Sequence, residues 1–140
     1  MKDAVGGAFL LHLMAFFMVV YIAFMTAMLM YVQVYKAKNA TIEYIENTTE
    51  EELTLCELAK YMSDYGLSPG GQFSITKHEN KNLGKNYYTV SLLLEISILP
   101  NMSPLALRIP IMGETKLIPE DIKIEDTGGN YRVAKQVCTF

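Results

Sequence analysis

Apolar residues run almost without interruption from Val5 to Tyr35, and the pattern then changes twice, first to an amphipathic helical repeat and later to strict alternation. The first run carries no formal charge, and its polar interruptions are His12, Thr26 and Gln33. It exceeds the eighteen or so apolar residues that mark a membrane-spanning helix, and at 1.5 Å per residue its ~30 positions reach ~45 Å. A cleavable signal peptide has an apolar region of only about 7–15 residues, so the segment predicts a retained anchor. Beyond it Tyr31, Val34, Tyr35, Ile42 and Ile45 fall near helical spacing among Lys36, Lys38, Asn39 and Glu43, which predicts one helix continuing out of the bilayer to about Glu46. Tyr31 and Tyr35 suit the aromatic belt of the interface or packing against the following domain.

The pattern restarts after Asn47. Thr49 and Glu52 have capping-box spacing, and Leu53, Leu55, Leu58, Ala59 and Met62 recur at helical intervals, predicting a second helix over 49–65 that ends at Gly66. Ser68-Pro69-Gly70-Gly71 is a turn. From Gln72 the period becomes two: Phe73, Ile75 and Lys77 alternate, Tyr87 to Leu99 forms a long strand, and Leu105, Leu107, Ile109 and Ile111 alternate before Gly113. Asn80–Asn86 and Pro100–Pro104 read as the connecting loops, a short strand at Thr115–Ile118 as a continuation past a bulge, and Tyr131–Phe140 as an edge strand after the Thr127-Gly128-Gly129-Asn130 turn. The expected fold is α+β: a long N-terminal transmembrane helix continuing as a stem, a short second helix and a small antiparallel sheet. Residues 1–35 form the anchor, 36–48 the stem and linker, and 49–140 the soluble domain.

Composition narrows the function more by exclusion than by indication. A net charge of −3 without a Lys/Arg cluster excludes nucleic acid, whose binding needs several phosphate-neutralising cations on one face. Glu50, Glu51 and Glu52 are expected in the first turn of the second helix, complementing its dipole. Lys2 flanks one end of the span and Lys36 and Lys38 the other, so charge leaves the topology nearly tied. Cys56 and Cys138 are the right number for one bridge in a small extracytoplasmic domain, two reduced thiols being the alternative. That pairing argues for an outward-facing domain.

No catalytic or cofactor constellation emerges. His78 stands beside Glu79 in a polar loop with no second ligand at metal spacing. Gly70-Gly71 and Gly128-Gly129 lack the Lys and Ser/Thr of a phosphate loop. Glu114, Glu120, Asp121, Glu125 and Asp126 do not match a calcium loop and read as solvated charges. The chain is therefore expected not to be an enzyme and to need no cofactor or metal. His12, ionisable at membrane depth, is a candidate helix-pairing contact, and the adaptable Met14, Met18, Met25 and Met28 are candidates for helix packing or lipid contact.

The layout is similar to that of type IV pilins and pseudopilins. The start Lys2-Asp3-Ala4-Val5-Gly6-Gly7-Ala8-Phe9-Leu10 and the late Ile109-Pro110-Ile111-Met112-Gly113-Glu114-Thr115-Lys116 resemble membrane-anchored, TadE-like proteins of tight-adherence pilus loci in Gram-positive bacteria. The resemblance implies a structural subunit whose helix packs against other pilin-like subunits or secretion machinery, in homo- or hetero-oligomers. It also makes Gly7 and Ala8 a candidate processing site. The family carries glutamate at the fifth position after the cut, where this chain has His12, a departure that points to a minor or accessory pilin or to an uncleaved membrane platform component. The alternative is a single-pass, membrane-anchored extracytoplasmic adaptor or sensor presenting an edge strand or the Pro100–Pro104 loop to a partner.

Overall fold

The computed structural model describes residues 2–49, 52–65, 72–97, 106–133 and 138. Its first element, α1, is one helix over Lys2–Asn47, 46 residues without a break. The order continues with β1 (Glu52–Leu53), α2 (Leu55–Asp64), β2 (Gln72–Asn80), β3 (Lys85–Ser97), β4 (Ala106–Glu114), β5 (Ile118–Pro119), β6 (Lys123–Ile124) and β7 (Arg132–Val133). The fold is α+β, with a long apolar N-terminal helix, a short second helix and a small, mainly antiparallel sheet. By length and composition α1 fits a single membrane span.

The main sheet is ordered β4-β3-β2-β7, with β5 pairing to the start of β3. The β2–β3–β4 meander is in continuous register from Gln72↔Leu93 to Asn80↔Lys85 and from Thr89↔Glu114 to Ser97↔Ala106. The β2–β3 turn is tighter than the Asn80–Asn86 loop expected from polarity, and Gly84 at φ 57° closes it in a conformation that only glycine adopts freely. His78 therefore lies in β2 and not in a loop: it pairs with Tyr87, and the two rings stack at 4.7 Å.

Alternation along β3 and β4 sends Val90, Leu92, Leu94 and Ile111 inward, where all are buried. The opposing surface is the C-terminal third of α1, where Val34, Ala37, Thr41 and Ile45 recur at helical spacing and are buried too. The sheet is thus built onto the helix. Burial of each aliphatic side chain in this layer contributes roughly 1.5–3 kcal/mol. At Gly113 the two layers approach closely: a Cβ there would stand 2.6 Å from Ile42 Cδ1 and 3.0 Å from Lys38 Cδ. β4 runs through this glycine to Glu114, whereas the alternation alone places its end before Gly113.

The second helix starts later than expected. Its N-cap is Thr54, whose Oγ1 accepts from Glu57 N while Glu57 Oε2 accepts from Thr54 N at 2.9 Å, a reciprocal capping box. Thr49 is not the cap, and Glu52, expected in the first helical turn, is in β1; Glu50 and Glu51 lie outside the described residues. The reason is Leu53, which is fully buried as β1 pairs in parallel with β6 through Leu53↔Ile124. A helix begun at Thr49 would forfeit that ladder. Tyr44 of α1 stacks on Tyr61 of α2 at 4.4 Å, and Tyr61 in turn donates its hydroxyl to Tyr65 at 3.2 Å, a bond to the protonated form that pushes the Tyr61 phenol up to about 12.

Two further expectations change. Thr115–Leu117 does not prolong β4; the chain turns, and β5 pairs instead with Lys85 and Asn86 of β3. In the last segment Arg132–Val133 does form an edge strand, on Phe73 and Gln72 of β2. The turn before it carries Gly128 at φ 64° and Gly129 at φ 78°. Gly66, the Ser68–Gly71 turn and the Pro100–Pro104 loop fall outside the described residues.

Candidate functional site: the exposed half of α1 and the bridge that fixes the domain

From Gly6 to Gln33 every side chain of α1 is exposed except that of half-buried Ala27. Most are large and apolar, among them Phe9, Phe16, Phe17, Met18 and Leu29, a surface far beyond what water tolerates on a folded chain. Gly7 and Ala8, the candidate processing site, lie within this helix, and a Cβ on Gly7 would meet open space.

Helical geometry sorts the remaining candidates. At ~100° per residue Met14, Met18, Met25 and Met28 fall within about 80° of one another, whereas His12 points about 150° away. The stem residues Val34, Ala37, Thr41 and Ile45 share the side of His12 by the same count. The methionine stripe therefore faces away from the sheet, and the helix does not bring His12 and the methionines together. His12 Nδ1 lies 2.7 Å from the Ala8 carbonyl; a carbonyl only accepts, so Nδ1 is the donor in that bond.

The stem ends in a polar clasp. Glu46 accepts from Lys116 N at 2.7 Å and pairs with Lys116 Nζ at 3.2 Å, tying the end of α1 to the segment after β4. Lys38 is almost fully buried; its stem lies against Gly113, its Nζ stands 4.3 Å over the Tyr35 ring and it donates to the Met112 carbonyl at 3.4 Å. A lysine that looked like a topology-setting flank is thus also a packing element of the helix–sheet interface.

Cys56 of α2 and Cys138 are joined as a disulfide with Cα atoms 5.5 Å apart across 82 positions of sequence. The bridge fastens the chain's C-terminal end to α2. Nearby, the carboxylates that sequence groups together disperse into separate tasks. Glu125 Oε2 accepts from Leu55 N at 3.1 Å, placing its charge at the positive end of α2. Asp126 Oδ1 accepts from Gly128 N at 2.7 Å to close an Asx turn. Among the described residues no group of three or more His, Cys, Asp or Glu side chains is placed to hold a metal ion.

Two structural residues escaped the sequence reading. Thr127 is buried, with its Oγ1 accepting from Ile75 N at 2.9 Å and donating to Ile75 O at 3.0 Å. Thr115 Oγ1 accepts from Tyr88 N at 3.0 Å and donates to Lys116 O. Each hydroxyl fills a missing rung of the sheet, and only the partner strand's position reveals it. Comparison of the chain with protein-family models, curated proteins and solved structures finds no match.

Proposed function

We propose that this chain is a pilin-like structural subunit, a minor pilin or TadE-like pseudopilin of a tight-adherence or related secretion assembly. It is held in the membrane by α1 and carries its sheet domain on the extracytoplasmic side. The observation that carries the reading is α1 itself: one unbroken helix, exposed and mostly apolar from Gly6 to Gln33, with the sheet built on its last third. An ordinary anchored receptor needs a span and a linker, and gains nothing from a rigid helix shared by both. An assembling subunit does, because a helix clamped by Gly113 and the Glu46–Lys116 clasp delivers a fixed orientation of the domain to its neighbours. The methionine stripe, on the side turned away from the sheet, is free to pack against other helices, where unbranched thioethers adapt to irregular partners. His12 Nε2, in place of the family's carboxylate, offers a hydrogen bond to a neighbouring chain.

The test is the intact mass of the protein from native membranes and from sheared surface material, with and without reduction before thiol alkylation. A chain starting at Ala8, recovered in the sheared fraction with both cysteines protected until reduced, is the expected result. An uncut chain found in the membrane alone, as a complex with one heterologous protein, would replace this reading by the anchored adaptor.

A further inference from the structure

The face of the β3–β4 hairpin that meets α1 is a ladder of cross-strand pairs: Val90 opposite Gly113, Leu92 opposite Ile111, Leu94 opposite Ile109 and Ile96 opposite Leu107. Burial fades along it. Leu92 is sealed, Leu94 and Ile111 are nearly so, Ile109 and Ile96 are half-buried, and Leu107 is 53% exposed. The helix and the hairpin diverge towards the N-terminal side, leaving an open cleft of about 440 Å³ walled by Val20, Phe24, Ala27 and Met30 on α1 and by Ile96 and Leu107 on the hairpin.

The height of this cleft follows from helix geometry. Hydrocarbon about 30 Å thick accommodates about 20 residues, so a span that begins at Ala4, the first residue after the charged Lys2 and Asp3, leaves the hydrocarbon near Ala23. The cleft's helical wall straddles that level. Charge along the hairpin agrees: Glu95 and Arg108, paired at 2.9 Å on the opposite strand face, are the last charged rung, and the sequence from Ile96 to Leu107 contains none. The exposed apolar end of the ladder, the charge boundary and the edge of the span coincide.

We infer that the Ile96–Leu107 rung of the β3–β4 ladder is a second membrane contact, and that acyl chains of the outer bilayer edge fill the cleft between it and α1. The occupant is lipid because the cleft opens at the level where lipid must already surround Val20 and Phe24. Arg108, directly above, is placed to reach phospholipid phosphates. The hairpin then fixes how deeply the helix sits, and the domain rests on the membrane instead of standing off it. This inference rests on α1 being the membrane span.

The chain contains no tryptophan, so single replacements report their own surroundings. Full-length Phe16→Trp, Leu107→Trp and Leu83→Trp variants are reconstituted in phosphatidylcholine vesicles with and without brominated acyl chains. Leu83 is exposed in the β2–β3 turn at the opposite end of β3. The expected pattern is strong quenching at Phe16→Trp, loss of about half the emission at Leu107→Trp, at the edge of the hydrocarbon, and none at Leu83→Trp. Quenching at Phe16→Trp without quenching at Leu107→Trp overturns the hairpin contact while leaving the anchor intact. Absence of quenching at Phe16→Trp as well removes the anchor itself, and the inference with it. Disulfide cross-linking between copies through Ala27→Cys, together with a shielded Leu107→Trp, assigns the cleft to a second copy and likewise overturns lipid occupancy.

Discussion

Replacing Gly113 probes the approach of helix to sheet on which the rigid stem depends. A Cβ at this position would lie 2.6 Å from Ile42 Cδ1, whereas carbon atoms rest at about 3.5–4.0 Å, so roughly 1 Å must be yielded. Ile42 Cδ1 is the tip of a half-buried side chain and can give by changing rotamer; Lys38 Cδ and Cε, at 3.0 and 3.1 Å, give less readily because Lys38 is buried. Overpacking of this size costs about 1–3 kcal/mol, partly offset by the roughly 0.5–1 kcal/mol gained when a strand glycine is replaced. Gly113→Ala is therefore expected to destabilise by about 1 kcal/mol and Gly113→Val, with two further methyl groups, by about 2–3 kcal/mol. For a domain near 90 residues these correspond to losses of about 5 °C and about 15 °C in Tm. The assay is thermal unfolding of the full-length protein in detergent micelles, followed by the circular dichroism of the sheet. Ile42→Ala makes room for the new methyl group, so a double-mutant cycle should show positive coupling between Gly113→Ala and Ile42→Ala. Gly113→Ala as stable as the parent, with no coupling to Ile42, would refute the close approach.

Three further outcomes are expected. Removing the bridge with Cys56→Ser and Cys138→Ser releases a loop of 82 positions, worth about 4–5 kcal/mol by the loop-entropy relation; equal denaturant midpoints for the parent and the double variant would contradict a stabilising crosslink. Thr127→Val leaves the buried Ile75 N–H without its acceptor and should cost about 1–3 kcal/mol, with Thr127→Ser largely restoring stability by chemical denaturation; equal loss in both variants would shift the explanation to packing. Hydrogen bonds from the Thr54 backbone and then its hydroxyl hold the Glu57 carboxyl below the usual carboxylate range. A depressed folded pKa gives stability that is present above the unfolded value and lost as pH falls through the folded one. Tm plotted from pH 7 downwards should therefore decline more steeply in the parent than in Glu57→Gln once the usual carboxylate range is passed, and parallel curves would show that the cap does not titrate.

Much of this architecture follows from local pattern. A long uncharged run merging into a helical repeat leaves little alternative to one continuous helix, because a break would expose backbone amides where few polar groups could satisfy them. Strict alternation likewise determined three of the strands, since period two has a single geometric meaning. What local pattern could not decide was competition between equivalent signals. Thr49…Glu52 and Thr54…Glu57 are both capping boxes in sequence, and the second prevails because Leu53 has a buried place beside Ile124 that only the assembled fold supplies. The same limit hid the roles of single polar residues. Glu125 reads as one more acidic loop residue until α2's first amide lies against it; Thr115 reads as the start of a short strand and Thr127 as a turn residue until the strand edges they complete are in place. Gly113 looks like a strand terminator by itself and becomes a point of close approach between helix and sheet once Ile42 faces it. Periodicity is a property of neighbours in sequence and so can be read from the chain. The partners of a buried hydroxyl, a capping carboxylate or a strand glycine lie dozens of residues away, and only the tertiary structure brings them within reach.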